Sequence, residues 1–124
     1  MAFIEDLVGY IEDNSSLVLD TDLFIVDQVN TPAKCIIVRE FAGGSETWAG
    51  HKTQPVQVLA MDLTYLTAQA LATTVYDLLS NKAGFPDATL SGVFFCEVLN
   101  RPFPMGRNQR GSYIFSSNFL FRTK

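Results

Sequence analysis

The stretch 54–81, QPVQVLAMDLTYLTAQALATTVYDLLSN, constrains the fold more than any other, because its apolar pattern changes within a few residues from period two to period 3.6. A strand must feed directly into a helix. Val56, Val58 and Ala60 fall on one side of an extended segment and Leu59, Met61 and Leu63 on the other, so the strand is expected to be covered on both faces. Thr64 suits the N-cap, since its hydroxyl can accept one of the first-turn N–H groups that have no intrahelical partner. From Tyr65 onward Ala68, Leu71, Ala72, Val75, Leu78 and Leu79 form a stripe, with Gln69, Thr73, Thr74 and Asp77 mostly off it. The helix should pack by that stripe on a sheet. Asn81 and Gly84 can adopt the left-handed conformation that closes a helix, and Pro86 cannot prolong it.

The rest of the chain reads around this unit. Residues 2–13 put Phe3, Ile4, Leu7, Val8 and Ile11 on one helical stripe, which predicts an amphipathic first helix interrupted by Asn14, Ser15 and Ser16. Two short β-prone runs follow at 17–19 and 23–26, separated by Asp20, Thr21 and Asp22 and closed by a turn at 30–32. The two aspartates do not make a calcium loop, because Phe24 and Ile25 stand where a further oxygen donor and a glycine are needed. They read as turn or capping carboxylates. A strand at 34–41 precedes a glycine-rich loop at 42–53 that carries the only tryptophan, Trp48, and the only histidine, His51. Trp48 either anchors an interface or folds back over the sheet edge.

Further strands are expected at 92–100 and 112–121, the second with Tyr113, Phe115, Phe119 and Phe121 alternating with Ile114, Ser116, Asn118 and Leu120. Between them RPFPMGRNQRG, 101–111, has the composition of a long hairpin connection, and Pro102 and Pro104 must loosen any pairing there. The order of elements predicts an α+β domain spanning 1–124: a mostly antiparallel sheet of four to six strands with two helices packed on one face. Ile36, Val38, Phe94, Val98 and Leu120 are expected on the other face, which a small domain would leave partly bare and an oligomer would cover.

Composition sets what such a domain does not do. With 48% apolar and 18% charged residues the chain is ordinary globular material, and no apolar run approaches a membrane span. The first residues lack the basic start and apolar run of a secretory signal, so a cytoplasmic chain is expected. Cys35 and Cys96 sit in strand-like apolar runs and read as buried free thiols. His51 has no neighbouring residues to complete a metal site or a catalytic pair, and neither a cofactor nor an enzymatic activity is expected. Charge is segregated. Residues 1–33 hold Glu5, Asp6, Glu12, Asp13, Asp20, Asp22 and Asp27 without a Lys or Arg, whereas from Arg101 on there are Arg101, Arg107, Arg110, Arg122 and Lys124 and no acid. These are either two solvated faces or unlike ends that attract neighbouring copies or partners. A net charge of −4 and the lack of a basic-aromatic motif argue against sequence-specific nucleic-acid binding.

Several features together are similar to the small minor-capsid and tail-terminator (tail-completion) proteins of tailed bacteriophages. They are Thr21-Asp22-Leu23-Phe24-Ile25, the Gly43-Gly44 loop, Pro55-Val56-Gln57-Val58-Leu59 leading into an Ala-rich helix that ends Val75-Tyr76-Asp77-Leu78-Leu79, and Arg101-Pro102-Phe103-Pro104-Met105-Gly106 followed by Asn118-Phe119. Gln28 and Asp62 stand where that family often has a Pro and an Arg. The resemblance implies a virion protein assembled in the host cytoplasm. It would form a homo-oligomeric ring, usually a hexamer, that caps the tail tube protein and joins it to the head-completion or stopper protein, with DNA passing through the lumen. Trp48, His51 and Lys52 on the first loop and Arg101, Phe103, Arg107 and Arg110 on the second are then the candidate contact residues. Two other readings stay open: another neck or baseplate-associated structural protein, or a small α+β ligand-binding domain or enzyme using Cys35, Cys96 or His51.

Overall fold

The computed structural model describes residues 3–19, 21–25, 34–40, 52–80, 93–109 and 111–123. The elements are α1 (Phe3–Asp13), β1 (Leu23–Phe24), β2 (Cys35–Glu40), β3 (Lys52–Asp62), α2 (Tyr65–Leu79), β4 (Val93–Arg107) and β5 (Tyr113–Thr123). They make an α+β fold whose five-stranded sheet runs β1-β2-β3-β5-β4, parallel between β1 and β2 and antiparallel elsewhere. Because β5 lies between β3 and β4 and is antiparallel to both, β3 and β4 are parallel to each other. The connection through α2 therefore spans a gap of one strand that β5 later fills, a split version of the βαβ unit.

The change of period seen in the sequence is realised at the β3–α2 junction. Thr64 is the N-cap with extended backbone, and its hydroxyl accepts the Thr67 N–H at 3.3 Å. Ala68, Ala72, Val75 and Leu79 are buried, with Leu71 and Leu78 partly so. Small residues on the contact stripe let the helix approach the sheet closely. At the other end the Ser80 N–H donates to the Tyr76 carbonyl at 2.8 Å; Asn81, Gly84 and Pro86 lie outside the described residues. On α1, Leu7, Val8, Tyr10 and Ile11 are buried. Its last carbonyls are met by side chains: Asn14 Nδ2 donates to Tyr10 O at 2.8 Å and Ser15 Oγ to Ile11 O at 2.7 Å.

One sheet face shares a continuous core with both helices. It comprises Ile36 and Val38 of β2, Val56, Val58 and Ala60 of β3, Cys96 of β4, and Phe115, Phe119 and Phe121 of β5. This corrects the expected assignment of Ile36 and Val38 to the far face; Val98 also packs against this core, and the Phe94 side chain lies outside the described ones. Strand β2 is apolar at four successive positions, so alternation alone does not say which set meets the helices. The far face carries a second buried group, Phe24, Cys35, Ile37 and Leu59, with Met61 and Ile114 partly buried against it.

Beside that group the middle of the far face is polar and internally bonded. Arg39 Nε donates to Gln57 Oε1 at 2.8 Å, and Gln57 Nε2 to Ser116 Oγ at 3.1 Å. Asn118 Nδ2 donates to Asn100 Oδ1 at 2.5 Å, and Asn100 Nδ2 to Ser116 O at 3.4 Å. The expectation of a partly bare apolar face is thus corrected in its middle, where polar side chains bridge four strands; Leu120, alternating with Phe119 and Phe121, keeps its expected place on the far face, half-buried.

The segment expected to be a hairpin connection is mostly strand. β4 continues through Pro102 and Pro104 to Arg107, and β5 already begins at Tyr113. The physical reason is position: β4 is the sheet edge, and prolines spaced two apart place their missing N–H groups on one side of the strand, the side that on an edge faces solvent. Pairing does loosen there. From Val93 to Arg107 β4 advances fourteen residues while β5 advances ten between the same partners, Thr123 and Tyr113; four register shifts absorb one residue each. The turn is tight: Asn108 N donates to Ser112 O at 2.9 Å, Ser112 N to Asn108 Oδ1 at 3.0 Å, and Gly111 takes φ +84°.

Candidate assembly interface

Arg101, Phe103 and Arg107 are all exposed on the edge strand β4, with Leu99 and Met105 beside them. Arg101 and Arg107 meet no carboxylate among the described residues. Arg107 is held locally: its Nε donates to Gly111 O at 3.2 Å and its guanidinium lies over the Tyr113 ring. Lys52 is exposed too, but it opens β3 opposite Thr123. Arg107 pairs with Tyr113 and so lies level with Asp62 at the far end of β3, ten residues or roughly 33 Å from Lys52. The two expected contact groups therefore do not converge through these residues. Trp48, His51 and Arg110 lie outside the described residues.

The fold adds a feature that the sequence reading did not single out. Leu63, Tyr65 and Leu66, at the β3–α2 corner, are 59%, 43% and 73% exposed, an unusual cluster for large apolar side chains. The Tyr65 ring meets Phe115 at 5.0 Å and Tyr113 at 5.9 Å, both edge-on, so this corner is joined to the β4–β5 hairpin that carries Arg107. One signal was available: Leu66 falls off the buried stripe of α2, where a leucine has no core to fill.

Other features of the described residues bear on chemistry. Among them no three His, Cys, Asp or Glu side chains come together as a metal site, and no helix is long and apolar enough to cross a membrane. Asp22 behaves as a turn carboxylate, accepting the Val18 N–H at 2.7 Å. An open cleft of about 310 Å³ lies between the end of α1 and α2, lined by hydroxyls, Leu17, Ala70, Leu71, Lys34 and Asp62. Its Ser15 hydroxyl is engaged in the backbone bonds that close α1, which leaves it no nucleophilic role. Cys35 and Cys96 are buried, and neither is in a disulfide. They occupy opposite faces of the sheet on strands three places apart, roughly 14 Å, too far for a disulfide. Burial pushes the Cys96 thiol up to about 12, so it is not a nucleophile at neutral pH.

What decides the identity is a family comparison: residues 10–124 match the model of the bacteriophage tail terminator protein. The chain belongs to that family. It is a structural protein of the phage tail and a component of the virion. The fold is also found in a chain of the "Virion of native gene transfer agent (GTA) particle", at TM-score 0.62 and 14% identity over 99% of this chain and 85% of that one. No curated protein matches the chain.

Proposed function

We propose that this tail terminator acts as a homo-oligomeric ring, a hexamer, that caps the tail tube and presents a docking surface to the head-completion or stopper protein. DNA passes through its lumen. The observation that carries this reading is the exposed strip on β4, with Arg101, Phe103, Met105 and Arg107, joined through Tyr113 to the exposed corner of Leu63, Tyr65 and Leu66. A folded chain that leaves so much apolar and cationic surface on one end is built to be covered by other protein. The net charge of −4 per chain supports the lumen assignment, since a ring of such chains repels phosphate and lets DNA slide rather than hold it. Assembly takes place in the host cytoplasm, where the buried thiols stay reduced.

The test is positional. Particles carrying a tagged copy are imaged by electron microscopy, and tails are measured when the chain is withheld. The expected result is a label at the head-proximal end of the tail, and tubes of uncontrolled length that fail to join heads. A label at the baseplate end, with tubes of normal length, would assign the chain to another part of the tail.

A further inference from the structure

We infer that the β4 segment from Leu99 to Arg107 of one copy docks on the C-terminal end of α1 of the next copy, a head-to-tail contact between opposite edges of the sheet. The contact rests on the ring reading for its biological use, but not for its chemistry. The basic, apolar side is β4, where Leu99, Phe103 and Met105 are 47%, 42% and 53% exposed between the exposed Arg101 and Arg107. The acceptor is at the other edge, where α1 packs on β1 and β2. Four strand spacings, roughly 19 Å, separate the two edges, so the patches cannot meet within one molecule.

The acceptor has the complementary chemistry. The last turn of α1 contains no basic residue, and Asp13 is exposed there beside the negative end of the helix dipole. Glu12 Oε2 accepts the Leu19 N–H at 2.7 Å, which brings the following segment, with its exposed Val18, against this turn. Carboxylate, helix terminus and valine thus face arginine, phenylalanine and methionine. The prolines and register shifts of β4 interrupt its backbone row, so the contact is made by side chains. Because the two patches differ, the contact is heterologous, the kind that closes into a ring when the rotation per copy divides a full turn.

Self-association of the full chain is measured by sedimentation velocity over a concentration series at low and high salt. Arg107→Glu and Asp13→Lys should each weaken association at least tenfold, on the order of what like-charge juxtaposition costs. An equal mixture of the two should recover it, because each variant supplies the charge the other lacks. Arg101→Glu, free of the Tyr113 contact, checks that the loss is not a local folding defect, and circular dichroism should match the parent. Failure of the mixture to recover, association of the single variants equal to the parent, or a parent that stays monomeric at every concentration would each overturn the contact. None of these moves the label in the virion, so failure here is distinct from failure of the terminator reading.

Discussion

The Arg107 guanidinium lies 5.0 Å from the centroid of the Tyr113 ring, its cross-strand partner at the end of the β4–β5 ladder. The ring holds the charge flat against the hairpin, while Arg107 Nε donates to Gly111 O. A double-mutant cycle of Arg107→Ala and Tyr113→Leu, read by chemical denaturation, should give a coupling of about 0.5 to 1 kcal/mol, the usual value for an exposed cation–π pair.

The α2 stripe has a graded buried edge. Leu79 is fully buried, so Leu79→Ala should destabilise the fold by about 2 to 5 kcal/mol through lost transfer energy and an unfilled cavity. Leu71 is only partly buried and borders the open cleft, so Leu71→Ala should cost clearly less. Urea midpoints of the two variants check the order.

Neighbouring serines on β5 should respond in opposite directions. Ser117 lies on the helix-side face opposite Val58 with its hydroxyl buried and unpartnered, so Ser117→Ala should stabilise the protein by about 1 kcal/mol. Ser116 accepts from Gln57 on the far face, and Ser116→Ala should cost about 1 kcal/mol. Thermal unfolding of both variants under one condition decides this.

The thiols give a pH signature. Cys96 holds its proton in the folded state up to about 12 against an ordinary 9.0, so the folded form binds more protons than the unfolded one between those values. Stability should therefore be unaffected by this group below pH 9 and fall as pH rises above it, by at most about 1.4 kcal/mol per pH unit. Cys96→Ala should flatten that decline in alkaline denaturation curves. Neither thiol should react with an alkylating reagent in the native protein at pH 7, and both should react after unfolding.

Much of the fold was legible where one residue set allowed one period. The switch at β3–α2, the Thr64 cap, the stripe of α1 and the alternation of β5 all follow from positions of apolar side chains, and the structure keeps them. The face taken by Ile36 and Val38 was not legible, because Cys35, Ile36, Ile37 and Val38 are all apolar and only the packing of other elements breaks the tie. The course of β4 was hidden for a different reason. Prolines and glycine punctuate a chain locally, and only strand order reveals that they lie on an edge, where a missing donor costs no ladder bond. For the candidate interface, Arg101, Phe103 and Arg107 were readable as exposed residues of a polar stretch. The corner of Leu63, Tyr65 and Leu66 depends on which side of α2 meets the sheet, which the chain settles only once folded.

The four extra residues threaded into β4 have a consequence for how such a chain survives before use. A fibril grows when one strand offers an unbroken template of amides and carbonyls to an identical strand, and the kinked, proline-bearing border of this sheet offers none. Along this border, identical copies are therefore poor templates for one another's stacking into amyloid.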